Sequence, residues 1–194
     1  MIFDHMEQCT EAEVQRMLPL VSTQRREQAL KYKHTFGRFC CLKSWLMLKE
    51  GLEDDGMRGL EEWRYNEHGK PYIEGGSYFS ISHCKEGIAV AIDDQPIGID
   101  IEAIRHADDD LIARTMNEEE RVGIDDRKFT RLWTQKEAIV KAQGVGIVSF
   151  EQLQHLLSNR RDFEVSTIEK EKYIYSTAYG KLHCFGAKVQ TADL

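Results

Sequence analysis

The chain has 194 residues, enough for one core or for two small halves that share one. Apolar residues make up 41% and charged residues 30%, and no apolar run approaches the roughly 20 residues needed to cross a bilayer. The net charge of −7 argues against a nucleic-acid binder, and five cysteines without a C-x-x-C pair fit reduced thiols. We therefore expect a cytoplasmic protein that binds neither membranes nor nucleic acid.

The first half is predicted to be helical before it turns to strands. Residues 11–33 are predicted to be helical, with an interruption at Pro19, and residues 36–50 to form a stronger helix with apolar residues three and four apart. Residues 62–73 indicate a strand, a turn and a short extended piece, and residues 77–93 indicate a β-hairpin.

The second half is predicted to contain a strand, two short helices, a long helix and a tail of three strands. The strand covers residues 97–102, the two short helices lie near 108–115 and 117–123, and the long helix covers 129–143. The tail has turns near 169–172 and 179–181. A long helix followed by a hairpin thus occurs in both halves. We predict an α+β fold of two similar halves, 1–96 and 97–194, related by a pseudo-twofold axis. Each half would pack an antiparallel sheet on a long helix, with the active site between them.

The positive charge is concentrated in residues 25–49, which hold seven Lys/Arg and one Glu. That segment is +6, which leaves −13 for the rest of the chain. A basic segment in an acidic chain indicates either a local anion site, such as one for phosphates, or a solvated helix face. Charge alone does not favour one over the other.

Two carboxylates lie side by side on the strand at 97–102. Its isoleucines alternate along one face, and the opposite face carries Gly98, Asp100 and Glu102. Like charges on one face repel, and Mg²⁺ is a candidate to neutralise them because it prefers oxygen ligands. Gly98 would leave room for a ligand. The alternative is an edge strand with a solvated outer face, which these residues alone favour.

The helix at 129–143 carries Glu137 and Lys141, which share one face because they are four residues apart. On their own they indicate an ordinary surface ion pair, with Lys136 beside them and Gly144 ending the helix.

Two further segments could bind an anion. Ser82 and His83 follow each other at a strand end, and Lys70 is held between Gly69 and Pro71. Ser82 is a poor candidate nucleophile because no G-x-S-x-G motif surrounds it.

Four segments in this order resemble a known enzyme family: "NEHGKPYI", "FSISH", "IGIDIE" and "WTQKEAIVKAQGVGI". The 4′-phosphopantetheinyl transferases carry G-K-P, F-S-x-S-H, (V/I)-G-(I/V)-D-(I/V)-E and W-x-x-K-E-A-x-x-K. The resemblance is to the two-domain type, which acts on carrier proteins of peptide and polyketide synthetases, and it covers roughly residues 25–147. It implies transfer of 4′-phosphopantetheine from coenzyme A to a serine of an apo acyl or peptidyl carrier protein. The other product would be 3′,5′-ADP.

The resemblance also implies a Mg²⁺ site. The family's D-x-E and K-E-A carboxylates bind the metal, and they correspond to Asp100, Glu102 and Glu137. Some members place a further glutamate near the metal, for which spacing favours Glu120.

The coenzyme A contacts implied by motif match are Lys70, Ser82, His83 and Lys141. The basic segment would add Lys31 and Arg38, with Lys33 and Arg26 as near-equal alternatives. The family's candidate base corresponds to Glu137. Lys141 and His83 would stabilise the charge on the leaving group.

The chain departs from the family pattern at two positions. Cys84 stands where serine often follows the S-H pair, and Thr35 stands where an acidic residue often precedes the arginine by three. The second departure concerns the adenosine end of the coenzyme site rather than the metal site.

Because two fused halves would complete the site, we expect a monomer.

Two rival functions are weaker. A Mg²⁺-dependent nuclease would place its Glu and Lys alternately on a strand, whereas Glu137 and Lys141 have helical spacing. A module that binds coenzyme A or a carrier protein without transfer would have lost its metal ligands, and all three carboxylates are present.

Overall fold

Helices and antiparallel strands follow one another in groups along the chain. The structure, a computed structural model, describes residues 1–54, 63–146 and 149–181. The elements before residue 96 are β1 (Ile2–Phe3), α1 (Glu11–Met17), α2 (Thr23–Leu30), α3 (Thr35–Asp54), β2 (Trp63–Tyr65), β3 (Pro71–Ile73), β4 (Tyr78–Cys84) and β5 (Gly87–Asp93). Those after it are β6 (Ile97–Ala103), α4 (Asp109–Thr115), α5 (Glu118–Arg121), α6 (Asp126–Gln143), α7 (Phe150–His155), β7 (Phe163–Glu169) and β8 (Tyr173–Gly180). In these ranges, no helix is long and apolar enough to cross a membrane.

The N-terminal sheet has the strand order β1–β5–β4, with antiparallel pairs throughout. The β4–β5 hairpin turns tightly, with Cys84 opposite Gly87. Helix α3 packs on β5 because its apolar residues recur every three or four positions along one face. Buried members of this core are Phe39, Leu42, Trp45, Leu48, Leu52, Ile88 and Val90.

The C-terminal sheet has the order β6–β8–β7, again antiparallel, and α6 packs across β6 and β8. Helix α6 begins where the Asp125 carboxylate accepts the Lys128 backbone N–H, and it ends at Gly144, whose φ is 74°. The buried face of α6 carries Ala138, Ile139 and Ala142, which form an apolar cluster with Phe163 of β7 and Ala178 of β8.

The two sheets meet where β4 lies beside β6. The Ile99 backbone N–H donates to Ser80 Oγ at 3.0 Å, so a side chain provides a hydrogen bond between these strands. The isoleucines of β6 pack with Ala89 and Ala91 of β5, which makes one apolar cluster from both halves. This junction places the end of β4 next to the carboxylates of β6.

Gly98 allows β6 to press directly against helix α6. A Cβ at this position would lie 1.9 Å from the Ala138 carbonyl oxygen and 2.4 Å from the Ala142 nitrogen. Both atoms belong to backbone, which cannot move aside cheaply. The glycine therefore makes room for a helix, and the expectation that it leaves space for a ligand is wrong.

The α+β class is confirmed, while several bounds differ from the prediction. The interruption predicted at Pro19 is confirmed, because a 3-10 turn at Leu18–Leu20 separates α1 from α2, whereas α2 ends at Leu30 rather than at residue 33. Strand β1 and helix α7 were not predicted. The first two tail strands correspond to β7 and β8, and the third lies outside the described residues. The alternative of a solvated face on β6 is wrong, since Asp100 is buried and Glu102 half-buried. The pseudo-twofold relation of the halves stays a prediction.

Substitution of Gly98 tests this close approach. We predict that Gly98→Ala lowers the free energy of unfolding by about 3 kcal/mol or more, because the new methyl group overlaps two backbone atoms. In the control Gly51→Ala, the atoms nearest to the added Cβ are the ends of the Ile92 and Met1 side chains, which can rotate away. Urea denaturation measures both variants, and equal stabilities for them would contradict the close approach.

Candidate functional site

A buried carboxylate, Asp100, connects three elements. Its Oδ1 accepts a 2.8 Å hydrogen bond from the Ser82 hydroxyl of β4 and a 2.6 Å bond from the Lys141 ammonium of α6. Its other oxygen, Oδ2, is buried and has no hydrogen-bond partner among the described residues. An unpartnered carboxylate oxygen in the interior is costly, so this atom marks a position where a positive group is favoured.

Lys141 pairs with Asp100 on β6 rather than along its own helix. Its ammonium also donates to Ser82 Oγ at 2.9 Å, so the three side chains form a closed triangle. The helical spacing alone indicated a surface pair with Glu137, and the structure instead gives a pair with Asp100 whose carboxylate is buried.

Glu102 and Glu137 lie close enough to Asp100 for its charge to affect both. Burial raises the pKa of Glu102 most, and the charge of Asp100 raises it further. The charges of Arg105 and Lys141 and a hydrogen bond from Trp133 lower that pKa in part. Burial and Asp100 likewise raise the pKa of Glu137, with Glu102 adding to the shift. The structure thus brings the three predicted carboxylates into one region.

The donor chemistry of this region fits a hard divalent cation. Three carboxylates repel one another, one buried oxygen has no partner, and Mg²⁺ favours such ligands. In the described ranges, no group of three or more His, Cys, Asp or Glu side chains lies close enough together to hold a metal ion in the arrangement seen here. The residues that would hold the ion are Asp100, Glu102 and Glu137.

His83 lies at the exposed edge of this region. Its ring contacts that of Phe36 edge-to-face at 5.9 Å, so the start of α3 borders the site. Desolvation by surrounding atoms, and then the charge of Lys141, lowers the pKa of His83. The imidazole is therefore mostly neutral at pH 7 and can donate one hydrogen bond to an anion.

A cavity of about 270 Å³ opens beside the carboxylates. Glu137 and Lys141 line it together with Lys70 and the apolar residues Pro71, Phe79, Ile81 and Val140. The Lys70 ammonium donates to the carbonyl oxygens of Lys141, Ile97 and Ala142, at 2.6, 3.3 and 3.4 Å. Burial lowers the pKa of Lys70 to about 8.

The two residues predicted from the basic segment make other contacts. Lys31 lines a second cavity, of about 450 Å³, with Gln28, Tyr32 and Tyr65 among its neighbours. Arg38 donates to the Tyr32 carbonyl oxygen and lies 3.5 Å from a Glu11 carboxylate oxygen.

Glu11 also accepts a hydrogen bond from the Thr35 hydroxyl. Helix α1 thus supplies a carboxylate next to Arg38, near the position where the family pattern often has an acidic residue and this chain has Thr35.

Lys136 precedes Glu137 on α6, and the sequence motifs gave it no role. It is fully buried, and its ammonium binds Glu120 Oε2 and the Thr115 carbonyl oxygen, both at 2.7 Å. Glu120 also accepts the Asn117 backbone N–H in a capping box, so its contacts are with Lys136 and Asn117 rather than with the three carboxylates. Lys136 is buried because it lies on the interior side of α6 and has Glu120 of α5 as its partner. The sequence pattern does not reveal this pairing.

Comparison with known families places one superfamily over this site. Residues 96–191, about half of the chain, match the family model described as the 4′-phosphopantetheinyl transferase superfamily. This region of the chain is therefore similar to that superfamily. The matched region contains β6, α6 and therefore all three carboxylates and Lys141.

Curated relatives carry the same family name. The 4′-phosphopantetheinyl transferase gsp of Aneurinibacillus migulanus is 36% identical over 92 residues, 44% of this chain and 39% of that protein. A 4′-phosphopantetheinyl transferase of Bacillus subtilis is 29% identical over 150 residues, 70% and 65% of the two chains. The transferase AcpT of Salmonella typhi is 37% identical over 113 residues, 52% and 58%. The chain thus spans less than two thirds of the length of each of these phosphopantetheinyl transferases.

The raised carboxylate pKa values predict how stability depends on pH. At pH values above 4.5, which is the ordinary pKa of a glutamate, Glu102 and Glu137 of the metal-free protein hold more protons in the folded state than in the unfolded state. Raising the pH through the window between that value and the raised values therefore lowers the free energy of unfolding.

We expect Glu137→Gln to have a higher Tm than the unsubstituted protein in EDTA, with a gap that widens from pH 5 to pH 7. If the three carboxylates hold Mg²⁺ in the folded state, the ion should raise the Tm of the unsubstituted protein at pH 7. Calorimetric scans measure these values, and a gap that shrinks as the pH rises would contradict the assignment.

Proposed function

We propose that this chain transfers the 4′-phosphopantetheine group of coenzyme A to a serine of an apo acyl or peptidyl carrier protein. The product would be the holo carrier protein, with release of 3′,5′-ADP. The observation that supports this proposal is the convergence of Asp100, Glu102, Glu137 and Lys141 beside an open cavity. The superfamily match over the same residues gives the reaction class.

The transfer requires one bond to form and one to break. The serine oxygen of the carrier bonds to the phosphorus that carries pantetheine, and the bond from that phosphorus to the 3′,5′-ADP oxygen breaks. The serine proton passes to Glu137, either directly or through a water molecule. Glu137 lines the cavity, so its carboxylate borders the space that the serine hydroxyl would enter.

Cationic and neutral donors then stabilise the charge that develops on the leaving group. Lys141 has its ammonium at the junction of the halves, and His83 lies at the edge of the same region. The family resemblance implies Lys31, Arg38, Lys70 and Ser82 as further contacts of coenzyme A. Of these, Ser82 acts through Lys141 and Asp100, which its hydroxyl already contacts.

A Mg²⁺ ion held by Asp100, Glu102 and Glu137 would neutralise the pyrophosphate of coenzyme A and polarise the phosphorus under attack. Because β4 supplies Ser82 and α6 supplies Lys141, both halves contribute to one site within a single chain. We therefore propose that the protein acts as a monomer.

Intact-mass analysis of carrier proteins tests the reaction. The protein is mixed with Mg²⁺, coenzyme A and apo carriers from fatty-acid, polyketide and peptide synthesis. We expect one carrier class to gain a single phosphopantetheine, and Glu137→Gln to lower kcat by about 100-fold or more, as loss of a general base does. EDTA should abolish the gain.

Glu118→Gln is the matched control, since Glu118 is an exposed glutamate in the first turn of α5. It should transfer at the unsubstituted rate. Coenzyme A binding without any mass gain on any carrier would contradict transfer and indicate a binding module instead.

A further inference from the structure

The turn between β2 and β3 contacts the C-terminal end of helix α6, on the other side of the junction. Asn66 Nδ2 donates to the Gly144 carbonyl oxygen at 2.9 Å, and Lys70 Nζ donates to the Lys141 carbonyl oxygen at 2.6 Å. The last carbonyl groups of a helix have no partner within it. Here the partners come from far away in the sequence: Asn66 lies 78 positions before Gly144, and Lys70 lies 71 positions before Lys141.

Each N–H of the Lys70 ammonium has a carbonyl acceptor. Besides Lys141, the acceptors are Ala142 at 3.4 Å and Ile97 at 3.3 Å. An ammonium group has three donors. Lys70 therefore connects the end of α6 with the start of β6, and its donors are directed at backbone rather than at the cavity that its side chain lines.

The turn itself is held by Asn66. The Asn66 Oδ1 accepts the backbone N–H groups of His68 and Lys70, at 3.0 and 2.8 Å. Gly69 has a φ of 79°, which the tight turn requires and glycine adopts without strain. The amide of Asn66 thus binds the turn with its oxygen and the end of α6 with its nitrogen, so one side chain joins the turn to the helix end.

We propose that Asn66 and Lys70 are positioning residues, which together fix the end of α6 so that Lys141 meets Asp100. The backbone carbonyl of Lys141 is bound by Lys70, while its side chain binds Asp100 and Ser82. The proposal rests on the transferase function only for the role of Lys141. It differs from the role that the family resemblance implies for Lys70, which is direct contact with coenzyme A.

The two roles predict different effects of Asn66. Asn66 does not line the cavity, whereas Lys70 does, so only positioning gives Asn66 and Lys70 the same phenotype. Small displacements of a catalytic group lower the rate of the chemical step more than they lower binding. The matched control is Glu67→Ala, in the same turn, because that side chain is exposed and, in the part of the chain that the structure describes, pairs only with the neighbouring His68.

The test compares Asn66→Ala, Lys70→Met, Lys70→Arg and the double variant Asn66→Ala/Lys70→Met. We expect each of the two single losses to lower kcat about tenfold with the KM for coenzyme A nearly unchanged. The double variant should lose little more, because the residues act as one unit. Lys70→Arg should recover part of the rate, and Glu67→Ala should match the unsubstituted protein.

Hydrogen exchange of the amides at residues 141–144 gives a readout that does not need the reaction. Both losses should speed this exchange, since the helix end is released. If the unsubstituted protein transfers nothing, the proposed function fails, and exchange alone decides the positioning. The positioning proposal would be overturned by a raised KM for coenzyme A in Lys70→Met together with normal kinetics and normal hydrogen exchange in Asn66→Ala.

Discussion

The contact between Lys141 and Asp100 is the interaction on which the rest of the site depends. The Asp100 carboxylate is buried, and a buried charge is tolerated only when it is paired and hydrogen-bonded. Lys141 supplies the opposite charge and Ser82 the second hydrogen bond. Since these residues come from β6, α6 and β4, the pairing ties both halves of the chain to one carboxylate oxygen.

That requirement explains features that lie away from the reacting groups. Gly98 lets β6 approach α6 closely enough for the strand to contact the helix backbone. The buried pair of Lys136 and Glu120 attaches α6 to α5 on the other side. With the helix held in this way, Glu137 faces the cavity while Lys136, the residue before it, faces the interior. Positions next to each other on a helix are about 100° apart, so one fixed helix serves both purposes.

Local patterns predicted the elements of the site, and long-range packing determined how they meet. The alternation of β6 identified Asp100 and Glu102 as neighbours, and the helical spacing of α6 placed Glu137 and Lys141 on one face. The partner of Lys141 was not predictable from spacing, because it lies on another strand. The role of Gly98 depends on how near a helix comes. The burial of Lys136 depends on a glutamate 16 positions earlier in the chain.

The central claim is that Asp100, Glu102 and Glu137 together form one divalent-cation site. The most direct measurement is a Mn²⁺ titration followed by electron paramagnetic resonance, with coenzyme A present. The account predicts one bound ion per chain, affinity lowered about tenfold or more in Asp100→Asn and in Glu137→Gln, and unchanged affinity in Glu118→Gln. Equal affinity in all three variants and the unsubstituted protein would contradict it.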